Sequence, residues 1–213
     1  MDTGGKAASQ EGSALALGSR EVKPTGGLYR NSKVSRKLAE ISDRLADAAG
    51  TMPILIRVVN ASDPNAVLAP DGNIYLTREL LLLTEDDSEL AAVIAHEMAH
   101  KLSGHAAARS RAGTKAGISS ADIAALLPDS GKVKALLVEK SERVASLSRQ
   151  QEFEADAMAI RLLAKAGYDP DAVTRFLKAM QANDEATGRP SYTSYHPASD
   201  IRIARAERVA AGL

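Results

Sequence analysis

Two histidines four residues apart bracket a glutamate in His96-Glu97-Met98-Ala99-His100, an HExxH pattern. On an α-helix, residues i and i+4 stack on one face, so both imidazoles can close on a single cation. Neutral imidazole is a good ligand for Zn²⁺, and a catalytic zinc site needs three protein ligands and one open position. Glu97, beside the first histidine, is placed to take a proton from a zinc-activated water, which is the chemistry of metal-dependent peptide hydrolysis. Five residues recur by chance, so the third ligand decides the reading.

Two completions of the pattern compete. In HExxHxxGxxH a glycine turns the chain and a third histidine follows; here Gly104 falls one place late and His105 one place early. His105 therefore reads as a supporting or structural residue rather than a ligand. The other completion takes a glutamate from a later helix. Arg149-Gln150-Gln151-Glu152-Phe153-Glu154-Ala155-Asp156 places Glu152 and Asp156 on one helical face, with Glu154 pointing elsewhere. Ala155, Ala157, Met158, Ile160, Leu162 and Leu163 predict that this helix is largely buried, and buried carboxylates need a metal or a partner. Glu152 is accordingly the expected third ligand, with one Zn²⁺ per chain. Asp156 is expected to accept the free N–H of a ligating histidine and so to orient it.

These residues need elements to hold them. Leu90, Val93, Ile94, Met98 and Leu102 give the HExxH helix an apolar face. Asp86 with Glu89 three places on is a start signal for it. Helical period also runs over 34–49, and helices are expected over 78–83, 122–127, 133–146, 148–166, from Pro170 to about Asn183, and over 199–211. In the last of these, Ile201, Ile203, Ala204 and Val209 are expected to face inward. Residues 54–59 read as a strand, and Asn73, Ile74, Tyr75, Leu76 and Thr77 as a second one after the Pro70-Asp71-Gly72 turn. That second strand, with an edge free towards the site, is the expected docking line for an extended substrate. Residues 184–195 and much of 106–147 read as loop, the latter holding Gly113 and Gly117.

Composition bounds the rest. With 213 residues, 45% of them hydrophobic, one sizeable core is expected. Residues 1–27 read as a flexible arm and 28–213 as one domain. Only two Phe, five Tyr and no Trp make that core aliphatic, which suits a helix-rich fold. Lysine plus arginine and aspartate plus glutamate both number 27, so nothing favours a nucleic-acid partner. Without cysteine, neither disulfides nor thiolate ligands enter. No apolar run of about 20 residues predicts a membrane span. The first residues lack a charged segment followed by an apolar one, so an exported protein would have lost its targeting segment.

HExxH, then Glu152-x-x-Ala155-Asp156, then His196-Pro197 with Arg202 six residues after the histidine, resembles the HtpX-like and CAAX-prenyl-protease-like zinc metallopeptidases. Within them it is most similar to the small soluble, periplasmic BepA-like and Oma1-like branch. Asn65-Ala66 and Pro70-Asp71-Gly72-Asn73-Ile74-Tyr75 add to the likeness, which runs from about Lys37 to Leu213. The resemblance implies an α+β, mainly helical, gluzincin-type core with a small sheet beside the HExxH helix. It implies zinc on His96, His100 and Glu152, Glu97 as general base, and active-site roles for His196 and Arg202. In some relatives the equivalent histidine approaches the metal and blocks it, so His196 is either an oxyanion donor or a fourth ligand. Arg202 is either a second oxyanion donor or the ion-pair partner of an acid such as Asp156 or one near Glu152. The absence of membrane spans departs from the HtpX-like and prenyl-protease-like members.

The expected function is a zinc endopeptidase acting on unfolded or misfolded polypeptide, in quality control of the cell envelope, periplasmic or membrane-associated. The alternative is a chaperone-like or binding module whose zinc is structural or plugged.

Overall fold

The computed structural model describes residues 15–17, 20–22, 27–61, 63–69, 71–108, 130–188, 196 and 200–213, with backbone alone at 15–17, 20–22 and 130–147. The architecture is mainly helical with one small mixed sheet. Strands β1 (Leu15–Leu17) and β2 (Arg20–Val22) pair antiparallel within the segment expected to be an arm. Helix α1 (Ser32–Ala49) starts where Asn31 Oδ1 accepts from the N–H groups of Lys33 and Val34, satisfying two amides that have no partner within the helix. It stops at Gly50, whose φ of 66° lets its N–H return to the last turn.

Strands β3 (Ile56–Val59), β4 (Ala66–Leu68) and β5 (Ile74–Thr77) form a sheet in the order β3-β5-β4. β3 runs parallel to β5, with Ile56 opposite Ile74, and β4 runs antiparallel to it, with Ala66 opposite Leu76. This overturns the expectation that Asn73, Ile74, Tyr75, Leu76 and Thr77 offer a free edge. β5 is the central strand, its backbone is paired on both sides, and Ile74 and Leu76 are fully buried. The hairpin at Asp71-Gly72 was legible; the three-residue strand that it returns from was too short to show alternation. Asp71 holds the turn by accepting from Asn73 N–H, Asn73 Nδ2 and the Tyr75 hydroxyl. Pro70 lies outside the described residues.

Thr77 caps the short helix α2 (Arg78–Leu83). α3 (Asp87–Leu102) carries HExxH and starts as expected, with Asp86 Oδ1 accepting from Glu89 N–H. Every residue from Glu89 to His100 is buried. Leu102, expected inward, is exposed at the helix end. The helices expected over 133–146 and 148–166 are one continuous helix, α4 (Ser130–Ala166). Neither glycine nor proline interrupts residues 132–166, so nothing stops propagation. The helix expected over 122–127 and the glycines at 113 and 117 lie outside the described residues.

Helix α5 (Ala172–Thr187) overruns its expected end and closes on Gly188 at φ 62°. In α6 (Asp200–Ala210) the buried residues are Arg202, Ile203 and Ala206, whereas Ile201 and Ala204 are exposed. Burying the Arg202 side chain against a carboxylate rotates the helix away from its most apolar roll. One aliphatic cluster, including Leu45, Leu76, Ile94, Met98, Ile160 and Leu163, joins sheet and helices behind the site. Among the described residues, no helix is long and apolar enough to cross a membrane.

Candidate active site

α3, α4 and the position four residues ahead of the start of α6 bring His96, His100, Glu152 and His196 together, all buried. Nε2 of His96 lies 3.0 Å from Nε2 of His100 and 3.2 Å from Nδ1 of His196. Glu152 closes the set, with Oε2 3.3 Å from His96 Nε2 and 2.9 Å from His196 Nδ1, and Oε1 3.3 Å from His100 Nε2. Ligands about 2.0–2.1 Å from a tetrahedral zinc stand about 3.3–3.4 Å apart. The spacing and the donor chemistry, imidazole lone pairs facing one another beside a carboxylate, therefore fit a divalent cation.

The groups behind these ligands set their tautomers. His96 Nδ1 meets Asp156 Oδ1 at 3.0 Å, so the proton that a cation displaces from this imidazole is the one on Nε2, the nitrogen that faces the cluster. Asp156 is itself held by Arg202, through Nε at 2.5 Å and Nη2 at 2.8 Å. Nη1 of the same arginine donates to the His196 carbonyl at 2.9 Å and lies 3.2 Å from Glu152 Oε2. The ion pair with Asp156 is thus the arrangement that Arg202 adopts, with a side chain 2% exposed.

His100 is backed differently. Its Nδ1 lies 2.9 Å from Nδ1 of His105, whose Nε2 faces Glu154 Oε2 at 3.3 Å. A His100 N–H donated to His105, and a His105 N–H donated to Glu154, again leaves Nε2 of His100 as the ligating atom. Glu154 does point away from Glu152, as its spacing predicts, but its contact with His105 has no sequence signal because 49 residues separate the two.

The charges follow from this scaffold. Burial alone would lower His96, yet hydrogen bonds to Asp156 and Glu152 outweigh it and raise His96 to about 9 in the metal-free protein. His100, backed by a histidine instead of a carboxylate, is lowered by burial to about 3. Burial would raise Asp156, but the charge and hydrogen bonds of Arg202 bring it down to about 2. Burial opposes ionisation of Glu152 as well, and the surrounding histidines hold it well below the ordinary carboxylate range.

Glu97 is 2% exposed and sits between this cluster and the sheet. Its Oε2 accepts from the Leu68 backbone N–H at 3.0 Å, while Oε1 lies 3.4 Å from His196 Nε2. The site thus gathers His96, Glu97, His100, His105, Glu152, Asp156, His196 and Arg202. Leu68 was invisible to sequence reasoning because a backbone N–H carries no residue-type signature.

The sequence profile of Peptidase family M48 matches residues 30–210. The chain is 31% identical over 154 residues to the "Mitochondrial metalloendopeptidase OMA1" of Schizosaccharomyces pombe, covering 71% of this chain and 45% of that protein. It is 26% identical over 216 residues to the "Beta-barrel assembly-enhancing protease" of Escherichia coli, covering 92% and 44%. To the "Metalloprotease YcaL" of Escherichia coli it is 25% identical over 189 residues, covering 86% and 73%. The chain spans under half the length of the first two relatives.

Proposed function

Since the chain belongs to Peptidase family M48, we propose that it is a zinc-dependent endopeptidase that hydrolyses internal peptide bonds of unfolded polypeptide. The observation that carries this is the convergence of His96, His100, Glu152 and His196 ligand atoms within 4.8 Å, beside the buried carboxylate of Glu97.

His96 and His100 through Nε2, and Glu152 through its carboxylate, would hold one zinc ion. Bound zinc supplies a Lewis acid that polarises water and the scissile carbonyl. Glu97 takes a proton from the attacking water, whose oxygen bonds to the carbonyl carbon. The same carboxyl then gives that proton to the amine nitrogen as the C–N bond breaks. Asp156 and His105 fix the two ligating imidazoles, and Arg202 holds Asp156 and the His196 carbonyl in register.

The extended substrate docks on β4, not on β5. The Asn65 carbonyl accepts from Thr77 N–H and the Ala69 N–H donates to the Asn73 carbonyl, so the strand's alternation turns the backbone groups of Ala66 and Leu68 away from β5, on the side where Leu68 meets Glu97 of α3. The Ala66 N–H is taken by Asn65 Oδ1 and the Leu68 N–H by Glu97, which leaves their carbonyls as acceptors for substrate N–H groups. Work in cell-envelope quality control, in a periplasmic or membrane-associated setting, is supported by likeness to a β-barrel assembly-enhancing protease.

One observation favours a second reading. His196 Nδ1 stands 2.9 Å from Glu152 within the ligand set, and a fourth protein ligand would close the site and leave a binding module. Digestion of unfolded casein by the zinc-loaded protein tests both. Cleavage abolished by chelator and restored by zinc is expected. No cleavage by wild type or by His196→Ala would support the binding module.

A further inference from the structure

The backbone of β4 is divided between two faces. The carbonyl of Asn65 and the N–H of Ala69 point into the sheet, where Thr77 and Asn73 meet them. Period two then sends the Leu68 N–H outward, on the edge that an edge strand ordinarily leaves to solvent or to a pairing chain. Here it is committed instead to Glu97 Oε2, at 3.0 Å, across 29 residues of sequence.

The two oxygens of Glu97 consequently differ. Oε2 is anchored to the strand. Oε1 is buried, has no hydrogen-bond partner among the described residues, and lies 3.4 Å from Nε2 of His196 in the ligand cluster. A hydrogen bond to one oxygen of a carboxylate restricts rotation about the terminal torsion, which is otherwise broad. A general base gains from this, because proton transfer needs the accepting oxygen within hydrogen-bond reach of the proton.

We propose that the backbone N–H of Leu68 positions the general base: it ties down Oε2 of Glu97 and leaves Oε1 as the oxygen that takes the proton and returns it. This rests on the peptidase reading above. It also makes β4 a common shelf, since adjacent backbone groups of Leu68 hold the base through N–H and the substrate through C=O.

Two measurements test it. Amide hydrogen exchange on the zinc-loaded protein should find the Leu68 N–H protected. Glu97→Ala should speed its exchange by at least about tenfold while leaving Val67 and Ala69 slow. A Leu68 amide that already exchanges freely in the wild type overturns the proposal. Leu68→Pro removes the donor at a position where no sheet bond is lost, as edge strands tolerate. It should lower kcat on a peptide substrate at least about tenfold, the scale of a hydrogen bond to a charged group. KM should change less than about twofold and bound zinc should stay stoichiometric. A raised KM with unchanged kcat would make this N–H a substrate contact and overturn the proposal, as would unchanged kinetics. If the proline variant does not fold, replacing the amide preceding Leu68 by a backbone ester removes the same N–H with the side chain intact and is judged on the same kinetics. A zinc-loaded wild type that cleaves nothing would overturn the peptidase reading itself, and this role with it.

Discussion

Arg202 and Asp156 meet through two near-parallel hydrogen bonds in a buried pocket, and the same carboxylate holds the back of His96. Removing Arg202 takes from the buried carboxylate its bidentate partner and leaves it only His96, and breaking a buried pair in this way costs up to about 3–5 kcal/mol. Arg202→Met should therefore unfold at markedly lower denaturant, and the double variant with Asp156→Asn should regain part of the loss. Arg202→Lys should rescue little, because one ammonium cannot span both Asp156 oxygens and the His196 carbonyl. Urea titration of the four proteins checks the order.

Glu152→Ala should lose stoichiometric zinc, since its carboxylate closes the ligand set. Glu97→Gln should keep zinc and fold but lose activity by about a hundredfold or more, because the amide accepts no proton. Elemental analysis with casein digestion reads both; turnover at wild-type rate in Glu97→Gln would remove it as the base.

His105→Phe should weaken zinc binding by about 10–100-fold, through loss of the group that sets the His100 tautomer. Glu154→Gln should cost less, because its side chain is 52% exposed. Competition with a chromogenic chelator measures both affinities, and equal affinity in His105→Phe would make that contact incidental.

His196→Ala should preserve or raise basal cleavage, because Nδ1 stands in the ligand set and would close the site at rest. A fall of about a hundredfold in kcat would instead assign His196 to the oxyanion. The two outcomes have opposite signs in a single assay.

The metal-free protein should show a pH dependence with a definite sign. His96 rises from 6.5 to about 9, so its contribution to stability is complete below about pH 6.5 and disappears as pH climbs through 9. Asp156 falls from 3.8 to about 2, so its contribution is complete above about pH 4 and disappears as pH drops through 2. The contribution of these two groups to the melting temperature should therefore be greatest between roughly pH 4 and 6.5. Zinc binding at pH 7 should displace about one proton, from His96, since His100 is already neutral. Calorimetry in buffers of different ionisation enthalpy counts it.

What the sequence by itself determined is what is local to one helix. Spacing of four placed His96 with His100 and Glu152 with Asp156, because helical geometry converts that spacing into a shared face whatever the rest of the chain does. The Asp86 cap was readable for the same reason. The order of the motifs also offered Glu152 as the partner of His96 and His100, and an ion pair for Arg202; the other contacts across distance were decided by tertiary structure alone. It placed β5 at the centre of the sheet and β4 at its edge, a choice made by pairing partners and not by β5's own residues. It rolled α6 to bury Arg202 on Asp156, against the apolar pattern. It also set Leu68 against Glu97 and His105 against Glu154. Backbone amides are chemically alike along the chain and long-range contacts leave no period, so only the packed fold selects which of them touch the chemistry.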